Sequence, residues 1–321
     1  MNKRGKIILI ITIVLAVIIS HTAALLGAGS YICDFALSRD LKTIGKAIEK
    51  GSSQSLRLFK TEYEWLNNNK NPTESQILSL DGLNLKAIEV NNADSSKWVI
   101  LMHGYRGRAT DMSYYSKYFY DHGFNCLIPW QRAHGNSEGE YITMGYKEKD
   151  DLIGWINYIL SKDENAQIVL MGVSMGASTV MLATGENLPL NVKAAISDCG
   201  YSSVEEQFEH IMTDYMYIRK FPLYEVAEIF SESRAGFNFE DASMTRALSK
   251  STTPTLFIHG KADNFVPFSM LEKVYNSAVL LEDGKTKEKL EVDGADHIMS
   301  ASVDSQKYFE AVTEFLNNHI A

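Results

Sequence analysis

The chain is 321 residues long, 45% apolar and 22% charged, with a formal net charge of −9. That composition suits one large folded domain, or a domain carrying an insertion, and excludes a disordered chain. The charges before Ser30 are Lys3, Arg4 and Lys6, a total of +3, so the remainder carries −12; an acidic body repels phosphate backbones, which argues against a nucleic-acid partner.

The N-terminal segment is apolar over residues 7–19 and again over 23–28, with Ser20, His21 and Thr22 between. From Gly5 to Gly29 it is long enough to cross a hydrocarbon core of ~30 Å as a helix. The positive flank predicts a cytoplasmic N-terminus and a body exported from the cell. An uncleaved signal anchor at the cell membrane fits the length; a signal peptide cleaved at Gly27-Ala28-Gly29, giving a secreted protein, is the alternative.

Residues 38–50 and 55–67 read as two amphipathic helices, a stalk or a lead-in packed on the domain. Strands are expected at 76–80 and 83–90, joined at Asp81-Gly82 by a type I′ hairpin turn. Further strands fall at 98–102, 125–128, 168–171, 194–197 and 255–259, and helices at 149–160, 177–184 and 306–317. Short apolar strands alternating with helices predict a mostly parallel sheet covered on both faces. Between 201 and 250 the pattern changes: Val204, Phe208, Ile211, Met212 and Tyr215 recur at helical spacing, Phe221-Pro222 interrupts, and 223–230 resumes. This reads as a helical cap inserted between two strands. The expected layout is a membrane anchor or signal segment at 1–30, a helical lead-in at 31–75, a core at 76–200 and 251–321, and the cap at 201–250.

Gly172-Val173-Ser174-Met175-Gly176 matches G-x-S-x-G, with an expected strand directly before it and a helix directly after. A serine on so tight a strand–helix turn needs glycine two residues away on either side, because a side chain there would meet the crossing backbone. The following helix turns free N–H groups toward developing negative charge. A phosphate loop is excluded, since residues 172–179 lack the lysine that motif requires. Three cysteines, Cys33, Cys126 and Cys199, are odd in number and widely spaced, and the eight histidines lack metal-ligand spacing. Neither a disulfide framework nor a metal or cofactor is implied.

With these motifs the chain resembles the α/β-hydrolase superfamily from about Leu78 to Leu316. More narrowly, it is similar to membrane-anchored or exported bacterial members of the serine aminopeptidase-like and monoacylglycerol-lipase-like branch. Four further segments carry the resemblance in the expected order. Val99 to Tyr105 looks like the strand and oxyanion loop, and Arg132 to Gly139 like the R-G-H-G-x-S-x-G loop. Pro254 to Asp263 looks like the acid strand and loop, and Gly294-Ala295-Asp296-His297 like the histidine loop. Two departures stand out: Trp130 replaces the usual aspartate two residues before the loop's arginine, and Ala133 replaces its glycine.

The resemblance implies an α/β-hydrolase fold and a triad of Ser174 as nucleophile, His297 as base and Asp263 as the acid. Asp198, which also follows a strand, and Asp296, beside the histidine, compete for the acid's role. The backbone N–H groups of Met175 and Tyr105 are expected to form the oxyanion hole, with the Tyr105 phenol as an additional donor. His103, His134 and His259 read as structural, and Cys199 as a small buried hydrophobe. Phe208 and Tyr215 of the cap are expected to contact substrate. A cap rich in Phe, Tyr and Met, with no charged cluster for a peptide terminus, favours an ester substrate over an amide. A serine peptidase and a non-catalytic anchored binding protein are the alternatives; the filled triad positions argue against the latter.

Overall fold

The computed structural model describes residues 2–39, 64–66, 72–93, 95–280 and 287–320. Eight strands form one sheet: β1 (Thr73–Leu78), β2 (Asn84–Val90), β3 (Lys97–Met102), β4 (Asn125–Pro129), β5 (Gln167–Val173), β6 (Val192–Asp198), β7 (Thr255–Gly260) and β8 (Lys287–Val292). Their spatial order is β1-β2-β4-β3-β5-β6-β7-β8. β2 runs antiparallel to both β1 and β4, and the other pairs are parallel.

Alternation along the strands separates two cores. Val99 and Leu101 of β3, with Val169 and Met171 of β5, pack on one face under Phe119, Tyr308 and Phe315. Trp98, Ile100, Ile168 and Leu170 face the other side, under Trp155, Ile156 and Val180. The helices carrying these partners are α2 (Ser113–Asp121) and α10 (Ser305–Asn317) on the first face, and α3 (Glu148–Lys162) and α4 (Met175–Thr184) on the second. This is the expected doubly covered, mostly parallel sheet.

α1 (Lys3–Leu37) is one unbroken helix, long and apolar enough to cross a membrane. It runs through the boundary expected near Ser30 and enters the body: Gly29, Cys33 and Leu37, four residues apart and so on one face, are buried. That face meets α6 (Leu223–Ala235), where a Cβ on Gly29 would lie 2.3 Å from Val226 Cγ1. Most of the two lead-in helices lies outside the described residues. Ser38 instead bridges Tyr141 in extended form, and residues 64–66 are helical, with Trp65 and Leu66 in the core.

The β1–β2 hairpin forms, but its turn is not type I′. Residues 79–83 make the connection and only Gly82 has positive φ, whereas that turn needs it at both central positions. Asp81 is held elsewhere, accepting from the Ser79 hydroxyl at 2.6 Å and from Arg132 at 2.8 Å. Between β6 and β7 lie α5 (Val204–His210), a π turn at Ile211–Tyr215, α6 and α7 (Met244–Leu248), where the helical insertion was expected.

Candidate active site

Ser174 joins β5 to α4 with φ 57° and ψ −120°, a conformation side chains rarely adopt. The flanking glycines are obligatory. A Cβ on Gly172 would lie 2.1 Å from the Gly176 carbonyl oxygen, and one on Gly176 would lie 2.0 Å from that of Met102. The strain is held by the sheet, since the Ser174 N–H donates to the Asp198 carbonyl at 2.8 Å.

The loops after β7 and β8 are zipped together. Lys261 N–H donates to Val292 O and Ala262 N–H to Ala295 O, each at 2.9 Å. Gly260 permits that approach, because a Cβ there would lie 2.2 Å from Ala295 O. The zipper sets Asp263 beside His297. His297 Nδ1–H donates to Asp263 Oδ2 at 2.7 Å, and the Ser174 hydroxyl donates to His297 Nε2 at 2.9 Å. Asp263 Oδ1 accepts the N–H groups of Phe265 and Val266 at 3.0 and 2.9 Å. Burial would raise its carboxyl, but the hydrogen bonds from His259 and His297 outweigh that and lower its pKa to about 2. Asp263 is therefore an anion throughout the physiological range.

The two competing carboxylates do not reach the imidazole in this way. Asp198 is fully buried and accepts from the Tyr308 hydroxyl at 2.9 Å; burial raises its pKa to about 6. Asp296 turns back to the N–H of His297 at 2.8 Å.

The loop after β3 lies against Ser174: a Cβ on Gly104 would stand 3.4 Å from Ser174 Cβ. Tyr105, next in the chain, lines the same cavity as Met175, whose N–H opens α4 and has no intrahelical acceptor. The Tyr105 phenol is engaged otherwise. It donates its one proton to Ala36 O at 2.6 Å and accepts from Arg106 Nε at 2.8 Å, which removes it as an oxyanion donor.

The histidines read as structural bind backbone. His103 accepts from Gln131 N–H at 3.2 Å and His134 from Arg106 N–H at 3.0 Å. Burial lowers their pKa values to about 4 and about 3, so both stay neutral. His259 does more than the sequence indicated. Its Nε2 lies 3.0 Å from Val266 O and 3.2 Å from Asp263 Oδ2, so it braces the Asp263 carboxylate. Its i,i+4 spacing from Asp263 was the available signal. Where aspartate is replaced by Trp130, the indole fills the space over Gly135, and Arg132 is held by Asp151 and Asp81. Cys199, Asp263 and His297 bring potential metal-ligand atoms within 4.8 Å of one another, the one such group among the described residues. Burial keeps the Cys199 thiol protonated, and the other two are already bonded to each other.

Ser174 and His297 open into a largely apolar cavity of about 630 Å³. Phe208 and Tyr215 both line it, as expected from the cap pattern, and so do Ile32, Phe35 and Ala36 of α1, which the sequence did not indicate.

Known proteins with similar sequences include uncharacterized protein YqkD of Bacillus subtilis, 29% identical over 244 residues that make up 75% of this chain and 78% of the relative. Another is uncharacterized protein YfhR of Escherichia coli, 27% identical over 58% of this chain and 62% of the relative. Among solved structures, the Pyrococcus furiosus esterase Pf2001 aligns with a TM-score of 0.64 and 24% identity, covering 80% of this chain and 95% of the esterase. The Pyrococcus horikoshii acylaminoacyl peptidase aligns with a TM-score of 0.57 and 17% identity, covering 79% of this chain and 42% of the peptidase. At such identities the two likenesses show the shared α/β-hydrolase fold. The model of the prolyl oligopeptidase family, peptidase family S9, matches residues 112–321, more than half of the sequence. The chain belongs to that family of serine hydrolases.

Proposed function

We propose that this enzyme cleaves carboxylic esters through an acyl-enzyme formed on Ser174. The observation that carries the reading is the relay from Ser174 through His297 to Asp263, two hydrogen bonds of 2.9 and 2.7 Å that end on a buried anion. His297 Nε2 takes the hydroxyl proton as Ser174 Oγ attacks the carbonyl carbon, and Asp263 stabilises the imidazolium. The N–H groups of Met175 and Tyr105 receive the oxyanion. Collapse restores the carbonyl and breaks the bond from its carbon to the alkoxy oxygen, and the alcohol leaves with the proton from His297. Water, deprotonated by the same imidazole, then releases the acid and restores Ser174. The cavity wall around Phe208 and Tyr215 favours an acyl chain over a charged peptide terminus.

An amide substrate is the second reading, favoured by the family match and by the likeness to an acylaminoacyl peptidase. Paired aryl esters and aminoacyl amides of equal size separate the two. The nucleophile itself is tested with a fluorophosphonate: wild type should be labelled, and Ser174→Ala should lose both labelling and turnover. Labelling that persists in the variant would move the nucleophile elsewhere. The polarity of charge around α1 supports a body held at the outer face of the cell membrane. Protease shaving of intact cells should remove it; resistance until lysis would reverse the orientation.

A further inference from the structure

The C-terminal turns of α1 are built into the catalytic cavity. Ile32, Phe35 and Ala36 line the same space as Ser174 and His297. They are fixed there from several sides. The Tyr105 phenol donates to Ala36 O, and the Arg106 guanidinium donates to Phe35 O at 3.1 Å and Ser38 O at 2.9 Å. Carbonyls at a helix C-terminus lack intrahelical donors and attract a cation. On the other flank Arg234 of α6 reaches Asp34 at 2.6 Å and Ser30 at 2.8 Å. Helix and cavity wall are therefore tied together on two flanks.

The same helix carries the apolar span. Residues 7–26 cover ~30 Å at about 1.5 Å per residue, the thickness of a hydrocarbon core. None of the most apolar stretch is buried in the protein. Two of its polar side chains bond within the helix, Thr12 donating to Ile8 O at 2.9 Å and His21 Nδ1 lying 2.8 Å from Val17 O. Ile32 follows Leu26 by ~9 Å along the axis, which places it at the outer edge of the headgroup layer, roughly 5–8 Å deep on each side. Large apolar and aromatic side chains are exposed around this junction: Tyr31 on α1 at 62%, and Tyr217, Phe221 and Ile229, before and on α6, at 88%, 74% and 60%. Amphipathic aromatic rings are typical of the membrane–water boundary.

We propose that α1 is part of the substrate site as well as the anchor, so that the enzyme draws its substrate sideways from the bilayer past Ile32, Phe35 and Ala36. The substrate class is a membrane-resident amphiphile with one acyl chain, its ester at the depth of the polar headgroups. A cavity of about 630 Å³ falls within the roughly 300–1,000 Å³ that enclose one small ligand, which suits one chain. This inference rests on the Ser174 hydrolase reading and on α1 spanning the membrane.

The test uses the full chain reconstituted in phosphatidylcholine vesicles, with 4-methylumbelliferyl palmitate and butyrate as probes. Palmitate carried in the enzyme's own vesicles should be hydrolysed at least about ten-fold faster than palmitate carried in separate, non-fusing vesicles. Ile32→Trp, which narrows the wall, should lower the palmitate-to-butyrate ratio by about ten-fold, within the range a few methylenes command. Ile32→Ala, which widens it and keeps the helix, should move the ratio the other way. A separate aliquot of every sample, set aside before the assay, is treated with a fluorophosphonate. If Ser174 is labelled while both vesicle populations are hydrolysed equally, or while both Ile32 variants keep the wild-type ratio, the membrane route is wrong and the hydrolase reading stands. If wild type is not labelled, both fall together.

Discussion

The two sides of the cavity are built by different means. On the sheet side, Ser174, Asp263 and His297 stand on short loops whose paths are set by strand register and by backbone-to-backbone bonds such as Ala262 to Ala295. On the opposite side, α1 meets the cap through side-chain packing and Arg234, and the loop after β3 through Arg106, both arginines reaching across long sequence separations. The first arrangement fixes reacting atoms and leaves little freedom to the residues that make it. The second encloses a volume and can be met by many sequences. Chemistry should therefore be lost in one step on the sheet side, and selectivity should shift by degrees on the other.

The sharpest way to break that contrast is at the acid. Asp263→Asn should lower kcat by about 10³–10⁴, because the amide no longer holds the imidazole tautomer. Asp198→Asn should cost less than ~10-fold, as its side chain contacts Tyr308 and not His297. Stopped assays on both variants, with melting curves to show intact folds, decide the matter; the reverse ranking would move the acid to the end of β6.

The same contrast governs what the sequence revealed. The elbow was legible because its requirements are local: Gly172 and Gly176 answer to backbone atoms a few ångströms away, and a strand and helix flank them. The acid loop followed from its position after an expected strand, and the histidine loop from the resemblance that Gly294-Ala295-Asp296-His297 carries. β8 escaped notice because Lys-Glu-Lys-Leu-Glu-Val is polar at most positions, as suits an edge strand that must resist pairing with other chains. The contact of α1 with the cavity left no periodic trace, since Ile32, Phe35 and Ala36 look the same in an apolar run whether they meet lipid, protein or substrate. What sets this end of α1 apart is partners far along the chain, Tyr105 on the Ala36 carbonyl and Arg106 on that of Phe35. The Asp81 turn was misread for a related reason: a tertiary ion pair with Arg132 overrode the local preference of Asp-Gly.

On the enclosing side, Phe208 stacks edge-on to Phe239 at 4.8 Å and lines the cavity. Phe208→Ala should shift acyl-chain preference by about ten-fold in kcat/KM while changing fluorophosphonate labelling less. Equal losses on every substrate would point to a folding defect instead.

A smaller effect is expected at Arg106. Arg106→Ala removes its donors to Phe35 O and Ser38 O and releases the end of α1 from the oxyanion loop. Charge-assisted bonds of this kind contribute about 1.5–3 kcal/mol where buried and less where partly exposed, as here. KM for a long-chain ester should rise several-fold with kcat changed less. A fall in kcat alone would mean that Arg106 acts on the oxyanion backbone rather than on the wall.

The smallest effect separates the two acids by their protonation. Asp263 is held at about 2 by its histidines against the effect of burial, whereas burial raises Asp198 to about 6. The signs for stability are opposite. Asp263 contributes stability above the ordinary carboxylate range, and that contribution is lost as pH falls toward 2. Asp198 binds its proton more tightly folded than unfolded, so its contribution is complete below the unfolded value of about 3.9 and is lost as pH rises through 6. Asparagine cannot ionise, so Asp198→Asn should gain on wild type as pH rises. The difference in melting temperature between pH 5 and pH 8 should move in the variant's favour by ~2–4 °C, the shift expected from about 1 kcal/mol in a domain of this size. Parallel melting curves across that range would show that Asp198 is ionised to the same extent folded and unfolded, and that its burial against Tyr308 is relieved by a partner to Oδ1, an atom with none among the described residues.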